Sequence, residues 1–456
     1  MVMDKRFSSS AGLRALPVSG LLFAAAWLAS GPAPALAAED TAPVDPAPQH
    51  AGNLPEPDDD TDPQGAEPVT ALPTAPGAPP RSVAPAAAAP APTPPKDIAA
   101  RFIWSQFLDA AIVGDAGDTL RYGGKIDAYF DIDDSAIGLD EGLRLHVHPE
   151  FRYGQSSNGE IGLLPVNTAL FYPGDGEDFD LSINLRKRWS SGTSLTVGKV
   201  NVLDLAARAP IIGGGGHEGF QNLAFALPPS AIVPASITGA MLDIPTKDVL
   251  LRFWVYDPDL QSQRNGFEDP FHQGVGFLAS ATFPVKIGGQ QGYYAVKLSA
   301  STRDGLAADA LPAVLVPEPG SGFGEKQGEF SVVLAGYQNI AMHEGGGSIG
   351  VFAQAYVSNG DPTFFDVSAI AGISGNPAGR PKDRFGIGWF RYSLTDGLVD
   401  ALASRLALED EEGVEIFYTA QIAERFRLTG NVQIVDSTVV ARDVGVTAGL
   451  RLTTRF

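Results

Sequence analysis

The stretch Gly142–Tyr153, "GLRLHVHPEFRY", decides the fold. Its odd positions, Leu143, Leu145, Val147, Pro149, Phe151 and Tyr153, are apolar, whereas Arg144, His146, His148, Glu150 and Arg152 at the even ones are charged or titratable. A period of two belongs to a β-strand, whose successive side chains point to opposite faces. Strands buried on both faces read instead as continuous apolar runs. The charged face here suits a watery lumen better than a packed core.

The neighbouring run Tyr122–Asp133, "YGGKIDAYFDID", obeys the same rule. Tyr122, Gly124, Ile126, Ala128, Phe130 and Ile132 share one face, and Gly123, Lys125, Asp127, Tyr129, Asp131 and Asp133 the other. Far downstream, Val414, Ile416, Tyr418, Ala420 and Ile422 alternate within "GVEIFYTAQI", and Phe426, Leu428, Val432 and Ile434 within "FRLTGNVQI". The last run, "VTAGLRLTTRF", sets Val446, Ala448, Leu450, Leu452, Thr454 and Phe456 against Thr447, Gly449, Arg451, Thr453 and Arg455. Turns rich in Gly, Asp, Asn and Pro separate such runs. A strand of ~10 residues at ~3.3 Å each, tilted by about 40°, stands ~25 Å tall, the height of an outer-membrane apolar band. In lipid every backbone polar group must be paired within the protein, so strands cross only as a closed barrel. The expected fold is therefore all-β, a transmembrane antiparallel β-barrel over residues 119–456, with Phe456 closing the last lipid-facing row.

Residues 1–37 read as a signal peptide: Lys5, Arg6 and Arg14, then the apolar "LLFAAAWLA", then Ala35-Leu36-Ala37 as the cleavage site. Residues 38–97 read as a disordered Pro/Ala/acidic linker, with 16 prolines between Glu39 and Asp97 and the run Asp58-Asp59-Asp60. Extended, such a segment reaches at most roughly 180 Å. Residues 98–118, which include most of "KDIAARFIWSQFLDAAIV", read as a short helical or irregular lead-in. The absence of Cys excludes a disulfide scaffold and a lipidated amino-terminal Cys.

The chain resembles the OprB-type carbohydrate-selective porins of Gram-negative bacteria over nearly all of 119–456. The resemblance lies in "YGGKIDAYFDIDDSAIGLDEGLRLHVHPEFRYG", "LLPVNTALFYP", "LTVGKVNVLDL", the block "GFQNLAFALPPSAIVPASITGAML" with Asn222, Phe225, Pro234 and Gly239, then "DRFGIGWFRYSL", "EEGVEIFYTAQI" and the final "GLRLTTRF". Many members begin their barrel with a Gly-Asp-Trp-Gly-Gly-like segment, where this chain has "VGDAGDTLRYGG". The resemblance implies about 16 strands and passive diffusion of mono- and small oligosaccharides across the outer membrane, without enzymatic activity or cofactor. It also implies that Phe456 carries the signal read by the barrel-assembly machinery.

The polar faces supply the candidate sugar-contacting residues: Arg144, His146, Glu150 and Arg152 on one strand, Lys125 and Tyr129 on its neighbour. Arginine offers a planar fork of donors to hydroxyls, glutamate offers acceptors, and Tyr129, like Phe417, offers an aromatic platform. His146-x-His148-x-Glu150 could ligate zinc, but no second ligand-bearing segment is evident, so no metal is expected. Gly346-Gly347-Ser348-Ile349-Gly350 fits a nucleophile elbow in letters only, since a strand rather than a helix should follow the Ser. "GGGGHEG" at 213–219 lacks the Lys and Ser/Thr of a phosphate loop.

The formal charge is −21, of which −15 falls on residues 98–456, which argues against nucleic acid as a partner. Loop acids would meet divalent cations and lipopolysaccharide. Two rival readings are a general cation-preferring porin and a secreted soluble β-sandwich or adhesin. Which sugar passes and whether the barrel is a monomer or trimer are left open by the residues.

Overall fold

The computed structural model describes residues 98–456 except 115–118, 139, 172–178, 214–216, 260–266, 268, 306–315, 319 and 344–345; the expected signal peptide and linker lie outside them. Sixteen antiparallel strands form one closed barrel in chain order. They are β1 (Ile98–Val113), β2 (Arg121–Asp133), β3 (Leu143–Gly154), β4 (Phe179–Arg188), β5 (Ser194–Asn201), β6 (Ser236–Pro245), β7 (Leu250–Tyr256) and β8 (Gly276–Ile287), followed by β9 (Gln290–Asp304), β10 (Gln327–Met342), β11 (Ser348–Gly360), β12 (Phe365–Gly375), β13 (Arg384–Leu394), β14 (Glu411–Ala423), β15 (Phe426–Asp436) and β16 (Gly445–Arg455). Closure joins β1 to β16, with Ile103 opposite Arg455 and Leu108 opposite Leu450. Past β16, Phe456 still exchanges backbone hydrogen bonds with Phe102, at 3.0 and 3.3 Å.

The first strand corrects two expectations. Residues 98–113 are not a helical lead-in, and the barrel begins at Ile98 rather than 119. The reason lies in the surroundings of β1. Phe102, Trp104 and Leu108 face outward, while Ile103, Phe107 and Ala111 are buried inside, Phe107 against Ala169 and Leu170. With apolar partners on both faces the contrast of period two is lost, and "IAARFIWSQFLDAAIV" shows no clean alternation.

Elsewhere the alternation holds, inverted relative to a soluble sheet. On β10, Phe330, Val332 and Leu334 are exposed while Ser331, Val333 and Tyr337 are buried; on β14, Ile416 and Tyr418 are exposed and Glu415, Phe417 and Thr419 buried. An outer wall of Phe, Leu, Ile and Val is stable only against lipid. This outward apolar face excludes the soluble sandwich.

Strand lengths are uneven in a way that positions the site. β9 and β10 have 15 and 16 residues, whereas β4 to β7 have 10, 8, 10 and 7. On this short side the chain leaves the wall early, and the described parts of the two connections, 155–171 and 202–213 with 217–235, fold into the barrel. Ile161, Leu163, Leu164 and Val166 of the first and Phe220, Leu223 and Phe225 of the second build a hydrophobic core with Phe352, Phe390 and Phe417 of the opposite wall. One side of the lumen is therefore filled by apolar packing.

Candidate functional site

Two walls of different chemistry face the in-folded segments. Against β11, β13 and β14 the contact is aromatic: Phe220 stacks on Phe225 at 4.3 Å between centroids and meets Phe417 edge-on at 4.9 Å. Buried carboxylates tie the same segments down. Glu415 accepts the backbone N–H groups of Gln221 and Asn222 at 2.7 and 2.8 Å, and Glu411 accepts that of Leu163 at 2.6 Å. Arg451 donates to the Gly219 carbonyl at 3.0 Å. Unpaired backbone groups inside a barrel would be costly, and these side chains supply the partners a ladder would otherwise give.

The other wall, β2 to β5, carries the ions. Lys125 stands opposite Arg152 across the β2–β3 ladder, and Asp127 opposite Glu150. Directly opposed like charges destabilise a sheet. Attraction runs along and across the strands instead: Lys125 pairs with Asp127 at 2.9 Å and diagonally with Glu150, and Arg152 reaches Glu150 at 3.4 Å. Lys199 of β5 pairs with Asp180 of β4. Asn201 donates to Glu150 at 2.6 Å. All of these are buried.

The next rung is wetter. Asp131 faces His146 and Asp133 faces Arg144 as cross-strand pairs, joined at 2.8 and 2.6 Å. The Arg144 and His146 side chains are each 21 % exposed, so this end of the wall meets solvent inside the barrel. Tyr129 lies between the two rungs, its ring stacked on His148 at 3.9 Å and covered by the Arg101 guanidinium at 4.0 Å. A short lumen helix, Val202–Ala207, docks here. Asn201 caps it by accepting from the Leu203 N–H at 2.8 Å. Its Asp204 then meets His148 and Tyr129 at 2.7 and 3.1 Å. Burial works against the Asp204 carboxylate, but His148 beside it holds the group below its ordinary range.

All six residues expected from sequence, Lys125, Tyr129, Arg144, His146, Glu150 and Arg152, lie on this one inner wall. They divide by access. Arg144 and His146 reach water, while Lys125, Glu150 and Arg152 are locked in the buried lattice and Tyr129 is sandwiched. Sequence reasoning missed Asp180, Lys199, Asn201 and Asp204. Asp204 carried a usable signal, since an Asn followed three residues later by an acid marks a helix start. Lys199 did not. Gly198, at φ +129°, faces the inward Asn184 across the ladder, and the turn of the chain there swings Lys199 inside against the period of two.

A closed barrel of lipid-facing strands, its lumen narrowed by in-folded segments and lined on one wall by paired ions, defines a porin. The profile of the "Carbohydrate-selective porin, OprB family" matches residues 117–456, and the chain belongs to that family. It is a carbohydrate porin of the outer membrane, and such proteins are channels rather than enzymes. Among solved structures, the high-pH form of Pseudomonas putida OprB is similar at TM-score 0.64 and 18 % identity, covering 79 % of this chain and 94 % of that one. Its low-pH form gives TM-score 0.47 at 11 % identity over 79 % and 93 %. No curated protein sequence matches.

Proposed function

We propose that neutral sugars cross this barrel along the inner wall of β2 to β4, sliding past Arg144, His146 and the Arg101–Tyr129 pair above the buried ion lattice. The observation that carries this reading is charge compensation. Lys125, Arg152 and Lys199 are matched by Asp127, Glu150 and Asp180, so the buried lattice adds little net field, and the donors and acceptors met by a solute are those of the part-exposed Arg144, His146 and Asp131. Such a surface suits mono- and small oligosaccharides better than ions of either sign. A general cation-preferring porin would need uncompensated acid at the same place.

Export by the segment 1–37, a linker 38–97 in the periplasm, lipopolysaccharide around the loops and capture of the Phe456 end by the barrel-assembly machinery complete the proposal. Liposome swelling in a panel of monosaccharides, disaccharides, amino acids and similarly sized neutral polyols tests it. Monosaccharides should swell fastest after normalisation to polyol flux, and single-channel recordings should show weak ion preference. Strong cation selectivity with sugar flux no faster than polyol flux would favour the general porin.

A further inference from the structure

We propose that His146, His148 and Asp204 form a binding site for one divalent transition-metal ion of the zinc type. One ligand atom from each of these residues lies within 4.8 Å of the others. His146 and His148 share the inner face of β3, and Asp204 arrives from the lumen helix. This is the second ligand-bearing segment that the sequence alone did not reveal; Glu150, the third ligand suggested by spacing, is instead committed to Lys125, Arg152 and Asn201.

The orientation of each group favours an ion. Nδ1 of His146 contacts Asp131 at 2.8 Å, and Nε2 of His148 contacts Asp127 at 3.0 Å. That leaves Nε2 of His146 and Nδ1 of His148 for a metal. A carboxylate on the opposite nitrogen is the arrangement that fixes the tautomer of a ligating imidazole and raises its basicity. Tyr129 donates to Oδ1 of Asp204 at 3.1 Å, which leaves Oδ2 for the ion. Nδ1 of His148 lies 2.7 Å from that oxygen, a charge contact without the alignment of a good hydrogen bond. An ion would replace that contact with a bond to each, after the two atoms move apart to the spacing of tetrahedral ligands.

Charge and access agree. Four carboxylates, Asp127, Asp131, Glu150 and Asp204, surround the position, with Lys125 and Arg152 beside Glu150 and Arg144 and Arg208 near Asp131, so the carboxylates next to the imidazoles are balanced without crowding them with a cation of their own. The side chains of His146 and Asp204 are 21 % and 19 % exposed, so a fourth coordination position would open toward lumen water. Two imidazoles and one carboxylate suit zinc rather than calcium or magnesium, which take all-oxygen sites. Bound there, the ion would join β3 to the lumen helix and pin the start of the 202–235 segment to the wall. The competing arrangement is a His148 imidazolium held between Asp127 and Asp204 with no ion.

The test uses the full chain, folded in detergent, stripped with a chelator and titrated with Zn²⁺ against a chromogenic competitor. Wild type should take one Zn²⁺ per chain. His146→Gln and Asp204→Asn should each weaken binding at least 100-fold, and Asp131→Asn, which does not touch the ion, about 10- to 100-fold. His343→Gln, at a turn, should leave it unchanged. Co²⁺ should give the visible bands of a four-coordinate site, absent in His146→Gln. Heat-modifiable migration confirms the fold of each variant; should Asp204→Asn fail to fold, His146→Gln, at the water-facing rung, carries the comparison. Equal Zn²⁺ affinity in wild type and His146→Gln, or no binding by wild type up to about 1 mM, would overturn the site and leave the imidazolium. Neither result depends on sugar flux, so the porin reading stands or falls separately.

Discussion

Lys125 is the residue on which the ion lattice turns, because its ammonium pairs with both Asp127 and Glu150, with His148 beside them. Replacing it with Met leaves buried carboxylates short of a counter-charge, and breaking a buried pair costs roughly 3–5 kcal/mol. Arg144→Ala removes a part-exposed pair with Asp133, which should cost about 1 kcal/mol, well below the loss at Lys125. Urea unfolding of the two variants measures the contrast, and equal losses would mean that the lattice is not dry. Arg144→Ala should nonetheless move transport. The lumen loses positive potential where it meets water, so single-channel cation preference should rise while sugar flux normalised to a polyol falls. Unchanged values in a folded variant would put the filter elsewhere. Six residues of this wall were legible by counting in twos, but their burial was not. Alternation gives the face a side chain takes, whereas the cover over it comes from residues distant in the chain, such as Asn201, Asp204 and His217.

At the scale of elements, β3 is the clearest case and β1 the hardest. Leu145 sits on the outer face of β3, so Leu145→Arg should destabilise the barrel by roughly 2–4 kcal/mol if the position lies at the membrane midplane; denaturant titration in lipid vesicles measures it, and a neutral effect would misplace the strand. β1 escaped the period-two rule because Phe107 packs inward on Ala169 and Leu170 and because Ile103 and Ala111 are buried on the same face. Removing Ile98–Val113 should nevertheless abolish heat-modifiable folding, since β2 and β16 would each expose an unpaired edge to lipid. A chain starting at 117 that still closed would contradict this.

The in-folded segment 202–235 has its own pH dependence. Burial holds the His217 imidazole down to about 4, against the pull of Asp127 at 3.5 Å. Neighbouring Glu218 is pushed up by burial but brought below its ordinary range by Arg455 and Arg427. In both cases the unfolded segment binds protons more readily than the docked one, so acid weakens docking. For His217 the loss begins near its unperturbed pKa of about 6.5 and is complete near 4, and for Glu218 it follows as pH falls through the depressed value. Amide exchange over 217–221 should rise between pH 7 and 4; protection that is flat across that range would refute the linkage. In the sequence the segment showed as the glycine run at 213–219 and the family-like block with Asn222 and Phe225, but not as a docked element, because nothing local states that Glu415, Arg451 and Phe417 wait for it on the far wall.

For the whole molecule, the closed ladder of 16 strands was legible because lipid imposes one rule on every strand at once. The two-sided lumen was not, because a dry aromatic half and an ionic half are made by contacts between distant segments. Closure itself has a consequence in time. Every pairing but one joins strands that follow each other in the chain, whereas β1 must find β16 across almost the whole described length. Loop-closure entropy makes that encounter about 4 kcal/mol dearer than a tight hairpin if it is attempted from a loose chain. Assembly is cheapest as a zipper, hairpin after hairpin, with the curvature of the growing sheet bringing its margins together. The β1–β16 junction is then the last to form and, when the barrel is pulled or heated, the natural place for it to unzip.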